Sequence, residues 1–107
     1  LCSDSVVFIA TIREGSPISG AFRGKKNVTE YFNKILPEVA SFRQLQPLEF
    51  VVSDSSVVIL GDDEYTIKKT GSKHHSPYAM VLKIKNGFVE EILIIQDLSA
   101  LWEAYNR

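Results

Sequence analysis

A chain of 107 residues is short enough to form one domain, spanning 1–107, and long enough to bury about two-thirds of its unfolded surface. With 45% hydrophobic and 10% aromatic residues it can build a core, which excludes a disordered tail poor in Val, Ile and Phe. Twelve basic against thirteen acidic side chains leave a net charge of -1, so the clustered positive surface of a nucleic-acid binder is not expected.

Cys2 is the only cysteine, so no disulfide framework forms within one chain and a reducing, cytoplasmic setting is expected. The longest aliphatic run, residues 92–95, is far too short to span a membrane. No cationic stretch leads into an apolar run as in a signal peptide. The chain opens on Leu1 rather than Met, and an N-terminal segment is expected to precede it.

Residues 6–12 are β-branched and almost wholly apolar, the pattern of a strand buried on both faces. Residues 14–20 hold two Gly, two Ser and Pro17 and read as a loop. Val28, Tyr31, Phe32, Ile35 and Val39 then recur at helical spacing, which predicts one long helix over 25–39. From Phe42 the period becomes two, with Phe42, Gln44, Gln46, Leu48, Phe50 and Val52 on one side of a long strand. Residues 54–56 make a turn, 57–60 a strand, Asp62-Asp63 a further turn, and 64–69 another strand. After an irregular stretch, strands over 78–85 and 88–96 flank Asn86-Gly87, the signal of a tight antiparallel hairpin. Asp97 is placed to cap a final helix that turns Leu98, Leu101, Trp102 and Tyr105 inward.

Ile92, Leu93, Ile94 and Ile95 are consecutive strand residues, so apolar groups point to both faces of the sheet. One face can lie under the helices. A second copy of the chain is the natural cover for the other, and a homodimer is expected.

Phe22-Arg23-Gly24 followed by Val28 and Tyr31-Phe32 resembles the approach to the long helix of SnoaL-like proteins. These belong to the ketosteroid-isomerase-like, nuclear-transport-factor-like superfamily. Residues 57–61, Thr70-Gly71, Tyr78-Ala79, Asn86-Gly87 and the ending from Glu91 through Ile95-Gln96-Asp97 continue the pattern in order. The resemblance covers nearly the whole chain. It implies a cystatin-like α+β fold, a conical barrel in which a strongly curved antiparallel or mixed sheet wraps the long helix around a small-molecule pocket. It also implies a dimer, and one or two helices before the first strand that this chain lacks.

The resemblance allows the isomerase chemistry to be tested position by position. The proton-moving carboxylate of ketosteroid isomerases falls near Ala10 in one register and near Glu14 or Gly15 in another. The position of their protonated aspartate falls at Met80, which donates no hydrogen bond. That chemistry is therefore not expected. The SnoaL cyclases instead imply an acid/base aspartate, for which Asp97 is the nearest match. A helix cap is the competing role, and it would hold the Asp97 carboxylate ionised.

His74 and His75 are the only histidines; on an extended strand they face opposite ways and cannot share a metal. Parity groups His74 with Ser76, Tyr78 and Met80, a set that the isomerase resemblance turns toward the cavity; His74 is then a second catalytic candidate, as a general base or a hydrogen-bond donor to a ligand, or else an exposed loop residue. The resemblance implies a cavity walled by Phe8, Ala10, Phe50, Met80, Ile92 and Ile94, with Tyr65, Ser76, Tyr78 and Gln96 as polar anchors. Ordinary core packing is the plainer account of the same residues. Gly15 and Gly20 have phosphate-loop spacing but lack the following Lys, and Asp62-Asp63-Glu64 lacks the spaced oxygens of a calcium loop. No metal or cofactor is expected.

Three functions remain open: a binder of an apolar metabolite; an isomerase, cyclase or hydrolase of a polyketide- or terpenoid-like ligand; and an interaction module with no ligand.

Overall fold

Alternating and β-branched apolar runs make most of this chain sheet. The computed structural model describes residues 1–45 and 48–106. The elements in order are β1 (Cys2–Ala10), β2 (Gly20–Arg23), α1 (Lys25–Glu30), a π-helical turn (Tyr31–Ile35), α2 (Leu36–Val39), β3 (Ala40–Gln44), β4 (Glu49–Val52), β5 (Ser56–Ile67), β6 (Lys73–Lys85), β7 (Phe88–Gln96) and α3 (Ser99–Asn106). One seven-stranded sheet runs β2-β1-β7-β6-β5-β3, and β4 pairs the other half of β5. Only β1 and β7 are parallel; the other pairings are antiparallel.

The sheet is neither a closed barrel nor strongly curled, contrary to the conical barrel expected from the sequence. β2 ends it on one side and β3 with β4 on the other, and no ladder joins these edges among the described residues. A barrel abolishes its edges by pairing them. Here β2 is only four residues long, and the 25–39 helical run lies on the inner face, its Tyr31 ring packed on Phe8 and Phe22. The molecule is accordingly flattened, at 43 × 29 × 20 Å.

Three further expectations are corrected. The 25–39 helix is not uniform: Leu36 N–H bonds back five residues to Tyr31 O, making a π turn. Pro37 follows directly and has no N–H to continue the regular ladder. The strand expected from Phe42 to Val52 is two, β3 and β4; Gln46 lies outside the described residues. Asp62-Asp63 is no turn, because β5 runs through it without a break and pairs with β6 from Ser56↔Lys83 to Thr66↔Lys73.

The Asn86-Gly87 turn forms as the sequence indicates. Both residues take positive φ, 54° and 79°, as a two-residue hairpin turn requires. The core joins Val6, Phe8 and Ala10 of β1 to Val28 and Tyr31 of the helical run, Tyr65 and Ile67 of β5, and Leu101 of α3. Among the described residues no helix is long and apolar enough to cross a membrane.

Candidate functional site

Residues paired across a sheet share a face, so the register decides which side chains converge. Phe22, Phe8, Ile92, Leu82 and Val57 form one inner row. Ala10, Ile94, Met80, Ile59 and Phe50 form the next. Gln96, Tyr78 and Gly61 form a third, beside the pairs Asp63↔Ser76 and Tyr65↔His74. Every candidate named from the sequence except Asp97 therefore lies on this inner face.

A cavity of about 210 Å³ opens between this face and the helical run. Its walls are Phe8, Ala10, Ile12, Met80, Ile94 and Leu98 from the sheet side, and Tyr31, Phe32 and Leu36 from the helical run, with Phe42 at one flank. Its polar groups are Thr11, Asp63, Tyr78 and Gln96. Apolar walls with a few fixed polar groups are the usual makeup of a small-molecule site.

The polar groups hold one another. Gln96 Nε2 donates to Asp63 Oδ2 at 3.1 Å, and Tyr78 Oη donates to Gln44 Oε1 at 3.0 Å. Tyr78 reaches Gln44 because Gly61 lies between them. A Cβ at Gly61 would sit 2.6 Å from the Tyr78 ring, so only glycine lets the ring lie across β5. Burial raises the Asp63 pKa; the Gln96 hydrogen bond opposes this and the neighbouring Asp62 charge adds to it. Burial, then the Asp63 charge, raises the Tyr78 pKa. The Tyr31 hydroxyl is pushed upward by burial alone.

A raised carboxyl pKa means that the folded state holds the Asp63 proton more tightly than the unfolded chain does. Its contribution to stability is then complete below the ordinary value of 3.8 and is lost as pH rises through the folded value. Asp63→Asn is expected to raise the melting temperature at pH 7 by about 2 °C, a small effect for so partly screened a group, and to change nothing at pH 3. Thermal melts at the two pH values check this; a lower melting temperature at pH 7 would contradict it.

Phe8, Ala10, Met80, Ile94, Tyr78 and Gln96 line the cavity, whereas Phe50, Tyr65, Ser76, Ile92, His74 and Asp97 do not. Phe50 sits on β4 and is 56% exposed. Ser76 is buried with its hydroxyl fully engaged: Oγ donates to Pro77 O at 2.8 Å and accepts from Asp97 N–H at 3.1 Å. Tyr65 Oη donates to Asp97 O at 3.3 Å, and its pKa is raised by burial and then by the Asp97 charge. His74 lies along the Tyr65 ring, with Nε2 3.0 Å from Ser72 Oγ. His75 faces the other way, its Nε2 2.5 Å from Asp62 Oδ1.

Asp97 Oδ1 accepts the Ser99 N–H at 3.0 Å. That amide is among the first of α3, which have no partner inside the helix. Hydrogen bonds from Ser99 lower the Asp97 pKa. Asp97→Ala is expected to lose about 1 kcal/mol in urea titrations at pH 7, whereas Asp97→Asn, also a capping residue, keeps most of it. Equal losses would mean that charge, not capping geometry, matters there.

Sequence reasoning missed Asp63, assigned to a turn, Tyr31 and Phe32, counted only in the helical stripe, and Leu36, which it did not single out. The one available signal for Asp63 was its even spacing from Tyr65, visible only if the strand is taken to continue through 61–63.

Neither the protein-family models nor the curated proteins give a match to this chain. Solved structures do. A structure of an NTF2-like protein from Burkholderia xenovorans LB400 superposes with TM-score 0.86 at 21% identity, covering 98% of this chain and 78% of that one. An NTF2-like protein from Burkholderia pseudomallei K96243 gives 0.80 at 17%, covering 99% and 80%. TerC, co-crystallised with polyporic acid, gives 0.76 at 19%, covering 99% and 81%. At such identities the likeness speaks for the fold. Over nearly all its length, this chain has the fold of these NTF2-like structures.

Proposed function

We propose that this chain binds an apolar small molecule in the cavity between the helical run and the inner sheet face. The observation that carries the reading is the cavity's makeup: apolar walls on two sides and one hydrogen-bonded carboxyl–amide pair, Asp63 with Gln96. TerC, of the same fold, was co-crystallised with polyporic acid, which adds support. Met80→Trp, which fills the cavity with an indole, is expected to weaken binding of the neutral dye N-phenylnaphthylamine at least tenfold. Unchanged affinity, or no uptake by the unmodified protein, would sink the reading and favour a module that only assembles.

A second reading, acid/base catalysis on the bound ligand, is favoured by Asp63 alone. It is a carboxyl with a raised pKa facing an apolar cavity. Asp63→Asn would then abolish turnover of a trial substrate without weakening its binding.

The chain acts as a homodimer in this proposal, joined through the outer sheet face. Ile9, Leu93, Val81, Val58 and Val51 lie side by side there across five strands. Ala79 and Leu60 continue the patch beside Ile95, which is 48% exposed in the single chain. An apolar band of this breadth marks an interaction surface, and a second copy presents the same band to it. Leu93→Lys is expected to convert a dimer into a folded monomer in sedimentation velocity. A monomeric parent protein would refute the dimer.

A further inference from the structure

A second hollow, of about 380 Å³, adjoins the cavity and shares Thr11, Ile12, Gln96 and Leu98 with it. The two are adjoining chambers that meet at these four residues. The first is almost wholly apolar. The second carries Arg13 with Asp97 and Glu103. A ligand that reaches across the shared wall at Ile12 and Gln96 would meet the second chamber.

Arg13 is the charged group that stands ready there. Its guanidinium lies over the Trp102 ring, 4.4 Å from the centroid. The indole is fixed in turn, since Trp102 Nε1 donates to Glu14 O at 2.7 Å. Stacking on a fixed ring orients a guanidinium while leaving its edge N–H donors outward. Among the described residues Arg13 forms no salt bridge. Of the two acids that border the chamber, Asp97 accepts the Ser99 N–H through Oδ1, and Glu103 has a partner of its own.

We infer that the ligand is a monoanionic amphiphile, with its apolar body in the first chamber and an anionic oxygen head on the Arg13 guanidinium. This rests on the cavity being a ligand site and adds the ligand's charge and polarity. A planar fork of donors matches a carboxylate or sulfonate edge, and such charge-assisted bonds are stronger than neutral ones. Arg13 is thus a specificity residue for the head, while the apolar walls take the body.

Two dyes with the same ring body test it: anilinonaphthalene sulfonate, which carries the head, and N-phenylnaphthylamine, which lacks it. The expected result is that Arg13→Gln weakens the sulfonate dye about tenfold and leaves the neutral dye unchanged, the neutral dye also reporting an intact fold. Arg13→Lys, which keeps the charge but not the fork, should fall between. Added salt should weaken only the sulfonate dye, in the unmodified protein and in Arg13→Lys but not in Arg13→Gln. If both dyes bind and Arg13→Gln affects neither, or both alike, the inference fails while the cavity reading stands. If neither dye binds the unmodified protein, the cavity reading itself has failed.

Discussion

Replacing Phe8 by alanine is expected to cost about 3–5 kcal/mol, the largest effect of any single substitution considered for this chain. Phe8 is 2% exposed and touches three other rings: Tyr31 at 4.5 Å between centroids, Phe32 at 5.1 Å and Phe22 at 6.5 Å. Tyr31 also packs on Phe22 at 4.7 Å and on Phe32 at 5.1 Å, so the four rings form one block. The block joins β1 and β2 to the helical run. Truncating its centre removes burial and leaves a void that the flanking rings cannot fill. It also merges that void with the cavity, one of whose walls is Phe8. Urea titration of Phe8→Ala, with Phe8→Leu for comparison, measures this. The leucine variant should lose no more than about 1.5 kcal/mol. An alanine variant losing less than about 1 kcal/mol would mean that the helical run is not held to the sheet by these rings.

Gly61→Val is expected to disable the cavity at a smaller cost in stability. The added Cβ would stand 2.6 Å from Cε2, Cζ and Oη of Tyr78, closer than any packing permits. A tyrosine ring can swing, so the strand need not shift, and the loss should be about 1–2 kcal/mol. The ring then leaves Gln44 and moves into the space that it now borders. Affinity for a neutral apolar dye should fall at least tenfold. Tyr78→Phe should keep that affinity and lose only about 1 kcal/mol with the hydrogen bond. The decisive measurement is the double variant Gly61→Val with Tyr78→Ala. If the ring is the obstruction, binding returns in part when it is removed; if it does not, the valine acts through β5 itself.

These variants bear on how much of the site was legible in the sequence. Period-two alternation is a local property that separates the two faces of each strand; the grouping of Phe8, Ala10, Met80, Ile94, Tyr78 and Gln96 around one cavity was implied by the family resemblance. Asn86-Gly87 fixed the β6–β7 hairpin for the same local reason, since few residues other than Asn and Gly accept positive φ. The same resemblance also admitted Phe50, Tyr65, Ser76 and Ile92, because strand parity names a face and not a position along it. Phe50 is on β4, away from the cavity, and Ser76 spends its hydroxyl on the backbone of Pro77 and Asp97.

Asp62-Asp63 shows the opposite failure. Two adjacent carboxylates read as a solvated turn because strands seldom hold them. The long ladder with β6 carries the chain straight through, His75 takes Asp62 on the outer face, and Gln96 takes Asp63 on the inner one. Asp63 and Gln96 are 33 residues apart, a separation that no local pattern encodes. The family resemblance pointed to the fold that the matching NTF2-like structures share, but with it came a closed cone that this open sheet does not make.

By itself, then, the sequence determined the first strand, the helical run over 25–39, the Asn86-Gly87 hairpin and the closing helix, all consequences of backbone preference and of the spacing of apolar residues. Tertiary structure alone decided three things: that the sheet stays open, where the helical run lies upon it, and which carboxyl is held in the cavity. Each depends on contacts between distant segments, whose free energies are set by packing and desolvation rather than by neighbours in the chain.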